Sequence, residues 1–166
     1  EDFLPSMDIT EEQLQDMGID TQYFEEFKAQ GPMISTHVDT LIAVKAQPEH
    51  AEDVEDELNK YRDSLLKGMN YPMNMPKIQA SEVAVYDDYV FFVMLGKYND
   101  TDETDEAALL DYYVEQNDRG LEALHAYFNY QDPVLPESSE SSAESSDSSE
   151  EPAASESSAE SSAAAQ

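Results

Sequence analysis

The sequence predicts one α+β domain, in which helices pack against a three-stranded mixed sheet, followed by a disordered acidic tail. Three observations lead to this class. Residues 38–46 show the two-residue alternation of a strand, residues 49–67 repeat apolar side chains at helical spacing, and residues 78–95 hold two more strand-like segments. The domain boundaries that we assign are 1–32 for short N-terminal helices packing on the domain, 33–135 for the α+β domain and 136–166 for the tail.

Residues 1–32 carry signals for two short helices. Thr10 is placed as an N-cap, with Gln13 three residues later able to reach back and complete a capping box. Asp20 is placed to cap a second helix that stops at Gly31-Pro32. The apolar face of this second helix would consist of Tyr23, Phe24 and Phe27.

A strand followed by a long helix forms the centre of the prediction. Residues 38–46 are expected to bury one face of a strand, namely Val38, Thr40, Ile42, Val44 and Ala46. Residues 49–67 are expected to form an amphipathic helix that ends at Gly68. Its apolar stripe consists of Ala51, Val54, Leu58, Tyr61 and Leu65.

Two strands joined by a tight turn complete the predicted sheet. Residues 78–86 and 89–95 flank the dipeptide Asp87-Asp88, which has the length of a two-residue hairpin loop. The second of them is apolar on both faces, so we expect it to be central. A right-handed helical crossover then makes the first two strands parallel on either side of it, in the order 2-3-1. Residues 105–129 are expected to form a last helix.

The net charge of the chain excludes several classes of partner. The chain has 38 Asp and Glu against 8 Lys and Arg, a net charge of −30. Residues 137–166 account for eight of the acids and thirteen serines, which leaves the body at −22. Because phosphate backbones and anionic lipids are bound by cations, we expect no nucleic-acid partner and no binding to anionic lipid headgroups.

The absence of certain residues narrows the chemistry further. Without cysteine the chain has no disulfide, thiolate metal site or thiol nucleophile. The longest apolar run, residues 89–95, is far shorter than the roughly 18 residues of a membrane span. No phosphate-binding loop, serine-nucleophile motif or paired-histidine zinc motif occurs. We assign no catalytic, cofactor-binding or metal-ligating residues and expect no cofactor.

Three features suggest a functional hypothesis beside a structural one. His37 and Asp39 would share a strand face, but an ordinary partly exposed pair explains them better than an acid/base dyad, and His50 and His125 carry no signal. The acids of residues 100–106 resemble a calcium loop, yet lack its glycine and final glutamate, so helix capping is favoured. The methionines of residues 69–76 could hold Cu(I), although packing is favoured.

The middle of the chain resembles a known family. The stretch LIAVKAQPEHAEDVEDELNKYRDSLLKGMNYP, followed by KIQASEVAVYDDYVFFVML, is similar to the domain of unknown function numbered 4358 over residues 33–96. The shared features are the strand at Ile42, a basic residue near Arg62, the element Tyr71-Pro72 and the last hairpin, where the family usually has glycine in place of Asp87-Asp88. The family has no established activity that can be transferred.

The resemblance implies a location rather than a reaction. It implies an exported protein on the extracellular face of the cell membrane, held by a lipid on an N-terminal cysteine. The sequence begins at Glu1 without Met, signal peptide or lipobox, so we expect a trimmed form.

Three hypotheses for the function follow. The first is a non-enzymatic binding or structural module of the cell envelope that contacts a protein, peptide or envelope ligand through a helix face or the loop around Tyr71. The alternative is an acidic protein with weak divalent metal (calcium) binding at residues 100–106 and the tail. A third, a hydrolase, would need a pocket where two carboxylates converge.

Overall fold

The described part of the chain, residues 6–99, 101 and 104–131, forms in this computed structural model a five-stranded sheet and four α-helices, an α+β fold. The elements are β1 (Ser6–Asp8), α1 (Glu11–Asp16), β2 (Phe24–Pro32), β3 (Thr40–Ala46), α2 (Ala51–Lys67), a 3₁₀ turn (Pro72–Asn74), α3 (Met75–Gln79), β4 (Glu82–Tyr86), β5 (Tyr89–Met94) and α4 (Glu106–Gln131). The predicted tail, residues 136–166, lies outside the described residues.

The predicted three-stranded mixed sheet is wrong. The sheet has five strands in the order β1-β2-β3-β5-β4, and each neighbouring pair is antiparallel. Two strands that the prediction lacked, β1 and β2, come from the N-terminal region that was assigned to helices. β5 lies between β3 and β4, and its side chains are buried from Val90 to Met94.

A β-bulge explains why β2 was mistaken for a helix. Phe24 and Phe27 are three residues apart, the spacing of one helix face, and strand neighbours on one face are normally two apart. In the structure Phe24 lies opposite Ala46 and Phe27 opposite Val44, with an irregular register between Phe24 and Glu26. The extra residue of the bulge turns both rings toward the core. A three-residue spacing thus arises within a strand.

The first helix begins where the sequence predicts. The Thr10 side chain accepts a hydrogen bond from the backbone N–H of Gln13 at 3.3 Å, and the Gln13 side chain accepts one from the backbone N–H of Thr10 at 2.8 Å. This capping box satisfies two N–H groups that have no partner within the helix. Leu14, one residue later, is fully buried in the core.

The two faces of the sheet pack against different helices. On one face α2 contributes Val54, Leu58 and Tyr61, and the Tyr61 ring meets Phe92 edge-on at 5.2 Å between centroids. On the other face α4 lies across β4 and β5. Its Phe128 ring stacks on Tyr86 at 4.7 Å and contacts Phe91 at 5.7 Å. The predicted buried face of β3 is confirmed for Thr40, Ile42, Val44 and Ala46.

The segment before β4 is helical, which corrects the prediction of a strand beginning at Ile78. Residues 72–79 form the 3₁₀ turn and α3, and β4 begins at Glu82. Arg62 on α2 stabilises this arrangement, because its Nε donates to the Ser81 carbonyl at 2.7 Å and its Nη2 to the Gln79 carbonyl at 3.0 Å. The guanidinium thereby pairs carbonyls that the end of a helix leaves without partners.

The predicted two-residue hairpin is confirmed. Tyr86 pairs with Tyr89, and the turn residue Asp87 has a φ of 52°.

Within the described ranges, none of the helices combines the length and the hydropathy of a transmembrane span.

Candidate functional site

One end of the domain exposes a group of apolar side chains on two neighbouring loops. One loop joins β2 to β3 and the other follows α2. They are tied together by the buried Asn74 side chain, whose Nδ2 donates to the Thr36 carbonyl at 3.0 Å. The exposed side chains, which we call the methionine-rich end, are Met33, Ile34, Met69, Tyr71 and Met73.

The chain segments that form the methionine-rich end contain no Asp, Glu, Lys or Arg. Residues 33–37 read MISTH and residues 68–76 read GMNYPMNMP, whereas the body as a whole carries 30 acids. Neighbouring charges keep an ordinary surface hydrated, and isolated exposed apolar residues need no explanation. Five exposed apolar side chains on two neighbouring loops form a group of the kind that is typical of contact surfaces.

An apolar cleft lies next to this end. Its volume is about 450 Å³, within the range of ligand-binding sites. Pro32 and His37 line the cleft and bracket Met33 and Ile34 along the chain, and Leu65 lines it one turn before Met69. The other lining residues are Met7, Ile9, Gln13, Asp16, Met17, Gly31, Val38, Thr40, Tyr61 and Met94.

Tyr61 contributes a neutral phenol to the lining of the cleft. Burial raises the pKa of this phenol to about 12, still further above physiological pH than that of an exposed tyrosine.

Gly31, another lining residue, leaves room for the side chain of Ile9. A Cβ at Gly31 would lie 2.9 Å from the Cδ1 atom of Ile9, which is closer than ordinary contact.

A buried ion pair fixes the same end of the sheet. The Lys77 ammonium lies 2.5 Å from Asp39 Oδ1 and donates to the Gly96 carbonyl at 2.8 Å. It also lies 5.6 Å from the centre of the Tyr113 ring. Asp39 precedes β3, Gly96 follows β5, and Lys77 and Tyr113 belong to α3 and α4. The ammonium therefore joins four elements, which is the role of a structural anchor.

Asn117 of α4 binds the backbone at Leu95, next to Gly96 of this anchor. Its Oδ1 accepts from the backbone N–H of Leu95 at 3.2 Å, while its buried Nδ2 has no hydrogen-bond partner among the described residues.

His37 and Asp39 do not form an acid/base dyad, which was the less favoured hypothesis. Both residues precede β3, Asp39 pairs with Lys77, and His37 meets the Tyr98 ring edge-on at 5.9 Å. His50 and His125 lie elsewhere: His50 stacks on Tyr23 at 4.1 Å and His125 lies 6.2 Å from Tyr86.

The two candidate metal sites have structural explanations in the described residues. Asp105 accepts hydrogen bonds from the backbone N–H groups of Ala107 and Ala108, at 2.9 and 3.2 Å, and so caps α4. Of the methionine pair, Met73 is exposed and Met75 packs on the core. Across the described ranges, no group of three or more His, Cys, Asp or Glu side chains is placed to hold a metal ion. The acids Asp100, Asp102 and Glu103 lie outside those ranges.

Most basic side chains are already paired. Seven of the eight Lys and Arg side chains bind a carboxylate or a backbone carbonyl, and the eighth, Lys97, also has an interaction. The pairs are Lys28–Asp8, Lys45–Glu25, Lys60–Glu57, Lys67–Asp63, Lys77–Asp39, Arg119–Glu115 and Arg62 with the carbonyls of Gln79 and Ser81. Lys28 and Lys67 lower the pKa of Asp8 and Asp63 by hydrogen bonding. The remaining acids give the surface its negative charge.

Sequence reasoning found only part of this site. It named the loop around Tyr71, because aromatic and methionine residues stand out there. It missed Met33 and Ile34, which stand next to Pro32 in what was taken for a helix stop. It also missed Lys77, whose partner Asp39 is 38 residues away in the chain.

The molecule is thus an α+β domain with a five-stranded antiparallel sheet, an exposed apolar end and an adjoining cleft. The chain belongs to the family described as domain of unknown function (DUF4358), whose model matches residues 1–95. This confirms the resemblance that residues 33–96 carried. The match ends one residue after β5, so α4 lies beyond it. Comparison with curated proteins and with solved structures finds no match.

Proposed function

We propose that this domain is a non-enzymatic binding module of the cell envelope, and that its methionine-rich end contacts a protein or peptide partner. The observation that carries the proposal is the exposure of five apolar side chains on two segments without Asp, Glu, Lys or Arg, in a body with a net charge of −22. Such an end loses solvent-exposed apolar area on binding without having to desolvate a charge.

The side-chain types fit a protein partner. Methionine is flexible and polarisable, so it adapts to partners of different shape. Tyr71 adds a large rigid side chain of the kind that dominates interface energetics. The acidic surroundings disfavour nucleic acids and anionic lipids, which leaves neutral or basic proteins as the partners that electrostatics permits.

The envelope setting has a separate support. The resemblance that residues 33–96 carry is what suggests an exported protein, lipid-anchored on the extracellular face. The alternative of weak calcium binding has less support, because Asp105 serves as the cap of α4.

Selection of peptides on the purified protein tests the proposal. A displayed library of random peptides is selected on the wild-type chain, and the affinity of an enriched peptide is measured by calorimetry. We expect the double variant Tyr71→Ser/Met73→Ser to bind at least about tenfold more weakly, since a central aromatic contact is commonly worth more than about 1.4 kcal/mol.

The matched control removes one tyrosine and one aliphatic side chain elsewhere. Val114 and Tyr127 are exposed on α4, so Val114→Ser/Tyr127→Ser should leave the affinity within about twofold. Equal losses in both double variants would contradict the proposal.

A further inference from the structure

The apolar cleft contains one carboxylate that nothing in the described part of the domain pairs. Among the described residues that line the cleft, Asp16 is the only acid. Its carboxylate has no hydrogen-bond or ion-pair partner in the described ranges, whereas most basic side chains of the body are already paired with other groups.

Asp16 is exposed to solvent at the end of α1 and has no basic neighbour in that helix. Asp16 is the last residue of the helix, and the last turn holds no basic residue. The carbonyl end of a helix carries partial negative charge, so a carboxylate there is repelled and a cation is attracted. A cation placed beside Asp16 would relieve this repulsion.

The rest of the cleft supplies the surroundings for an apolar group. Met7, Met17 and Met94 place thioether side chains in its walls, and Leu65 and the neutral Tyr61 extend the apolar surface. His37 is the other ionisable side chain of the lining, and its ring packs edge-on against Tyr98. An apolar cavity with one carboxylate matches a side chain that has an apolar stem and a cationic head.

We infer that the cleft is the specificity pocket of the binding surface and accepts an arginine or lysine side chain of a basic, apolar peptide segment in the partner. The stem lies against the methionines and the head pairs with Asp16. This inference rests on the proposed binding function and adds the chemistry of the partner. The body has a net charge of −22, which attracts a positively charged partner at long range.

Three blocked peptides that differ at one position test the inference. The common frame is Gly-Leu-Phe-X-Leu-Gly, in which X is arginine, its uncharged isostere citrulline, or glutamate. Binding is measured by calorimetry at about 0.15 M salt, where charges more than about 8 Å apart are screened. Amide chemical shifts of Asp16, Met17 and Leu65 report whether the cleft is occupied.

We expect the arginine peptide to bind about fivefold more tightly than the citrulline peptide, and the glutamate peptide to bind most weakly. Asp16→Asn should reduce the arginine preference to less than about twofold. Asp16→Glu should keep it, and so should Glu122→Gln, which removes an exposed charge on α4. Equal affinities of the arginine and citrulline peptides, or equal effects of Asp16→Asn and Glu122→Gln, would overturn the inference.

The outcome separates this inference from the proposed function. If the citrulline peptide occupies the cleft as well as the arginine peptide does, the apolar binding surface stands and the cation preference is wrong. If no peptide shifts the cleft amides while selected peptides still depend on Tyr71 and Met73, the pocket is wrong and the binding surface stands.

Discussion

Single glycines hold the backbone where side chains would not fit. Gly96 follows β5 with a φ of 129°, a conformation that is essentially restricted to glycine. A Cβ there would lie 2.4 Å from the Cβ of Gln116 on α4. Its carbonyl accepts from Lys77, so the conformation of Gly96 also sets the anchor.

Gly96→Ala should therefore destabilise the domain by more than about 2 kcal/mol, because backbone strain adds to a collision with a helix. Gly18→Ala is the matched control. Gly18 has a φ of 84°, and a Cβ there would meet no atom within 4 Å, so only the backbone strain of about 1 kcal/mol remains. Urea unfolding of both variants checks the difference. Equal losses of unfolding free energy in the two variants would show that α4 moves away from the added Cβ without a cost in stability, and would contradict the prediction.

At the scale of elements, the sequence predicts best what is local. The capping box of α1, the stripe of α2, the buried face of β3 and the two-residue hairpin each depend on residues close together in the chain, and each is confirmed. The errors arise where tertiary pairing decides. The spacing of Phe24 and Phe27 is that of a helix, and only pairing with β3 through a bulge makes it a strand.

The segment before β4 shows the same dependence. Its helical conformation is stabilised by Arg62, which lies 17 and 19 residues from the carbonyls that it pairs. The methionine-rich end likewise assembles from two loops that are far apart in the chain. No local pattern indicates that Asn74 in one loop will bind Thr36 in the other, 38 residues away.

The ion pair between Lys77 and Asp39 gives a prediction at this scale, because it joins α3 to the start of β3. Lys77 is 4% exposed, and Lys77→Met would leave the Asp39 carboxylate and the Gly96 carbonyl without their donor. We expect a loss of about 3 kcal/mol in the free energy of unfolding, measured in urea.

The double variant Lys77→Met/Asp39→Leu should recover part of that loss, because it removes the buried charge together with its partner. Asp39→Leu is also measured alone. If the loss of the double variant equals the sum of the losses of Lys77→Met and Asp39→Leu, the pair is not coupled and the anchor role is wrong.

For the whole molecule, the charge of −30 has a more specific meaning once the fold is known. Most Lys and Arg side chains are paired with other groups of the domain. The acids that have no such pair leave the surface negative, so anionic partners are repelled. The methionine-rich end adds no charge of its own, since neither residues 33–37 nor residues 68–76 contain Asp, Glu, Lys or Arg. The acidic composition thus disfavours anionic partners. It also makes the methionine-rich end stand out among the described residues, because apolar contact there does not require a charge to lose its water.

The most direct test of the proposed function is site-specific cross-linking on intact cells that produce the full-length protein. A photo-reactive phenylalanine analogue replaces either Tyr71, at the methionine-rich end, or Tyr127, an equally exposed tyrosine on α4. We predict a discrete protein adduct from position 71, accessible to protease added outside the cell, and none from position 127. An adduct from position 127 alone, or one inaccessible from outside, would contradict the proposed function.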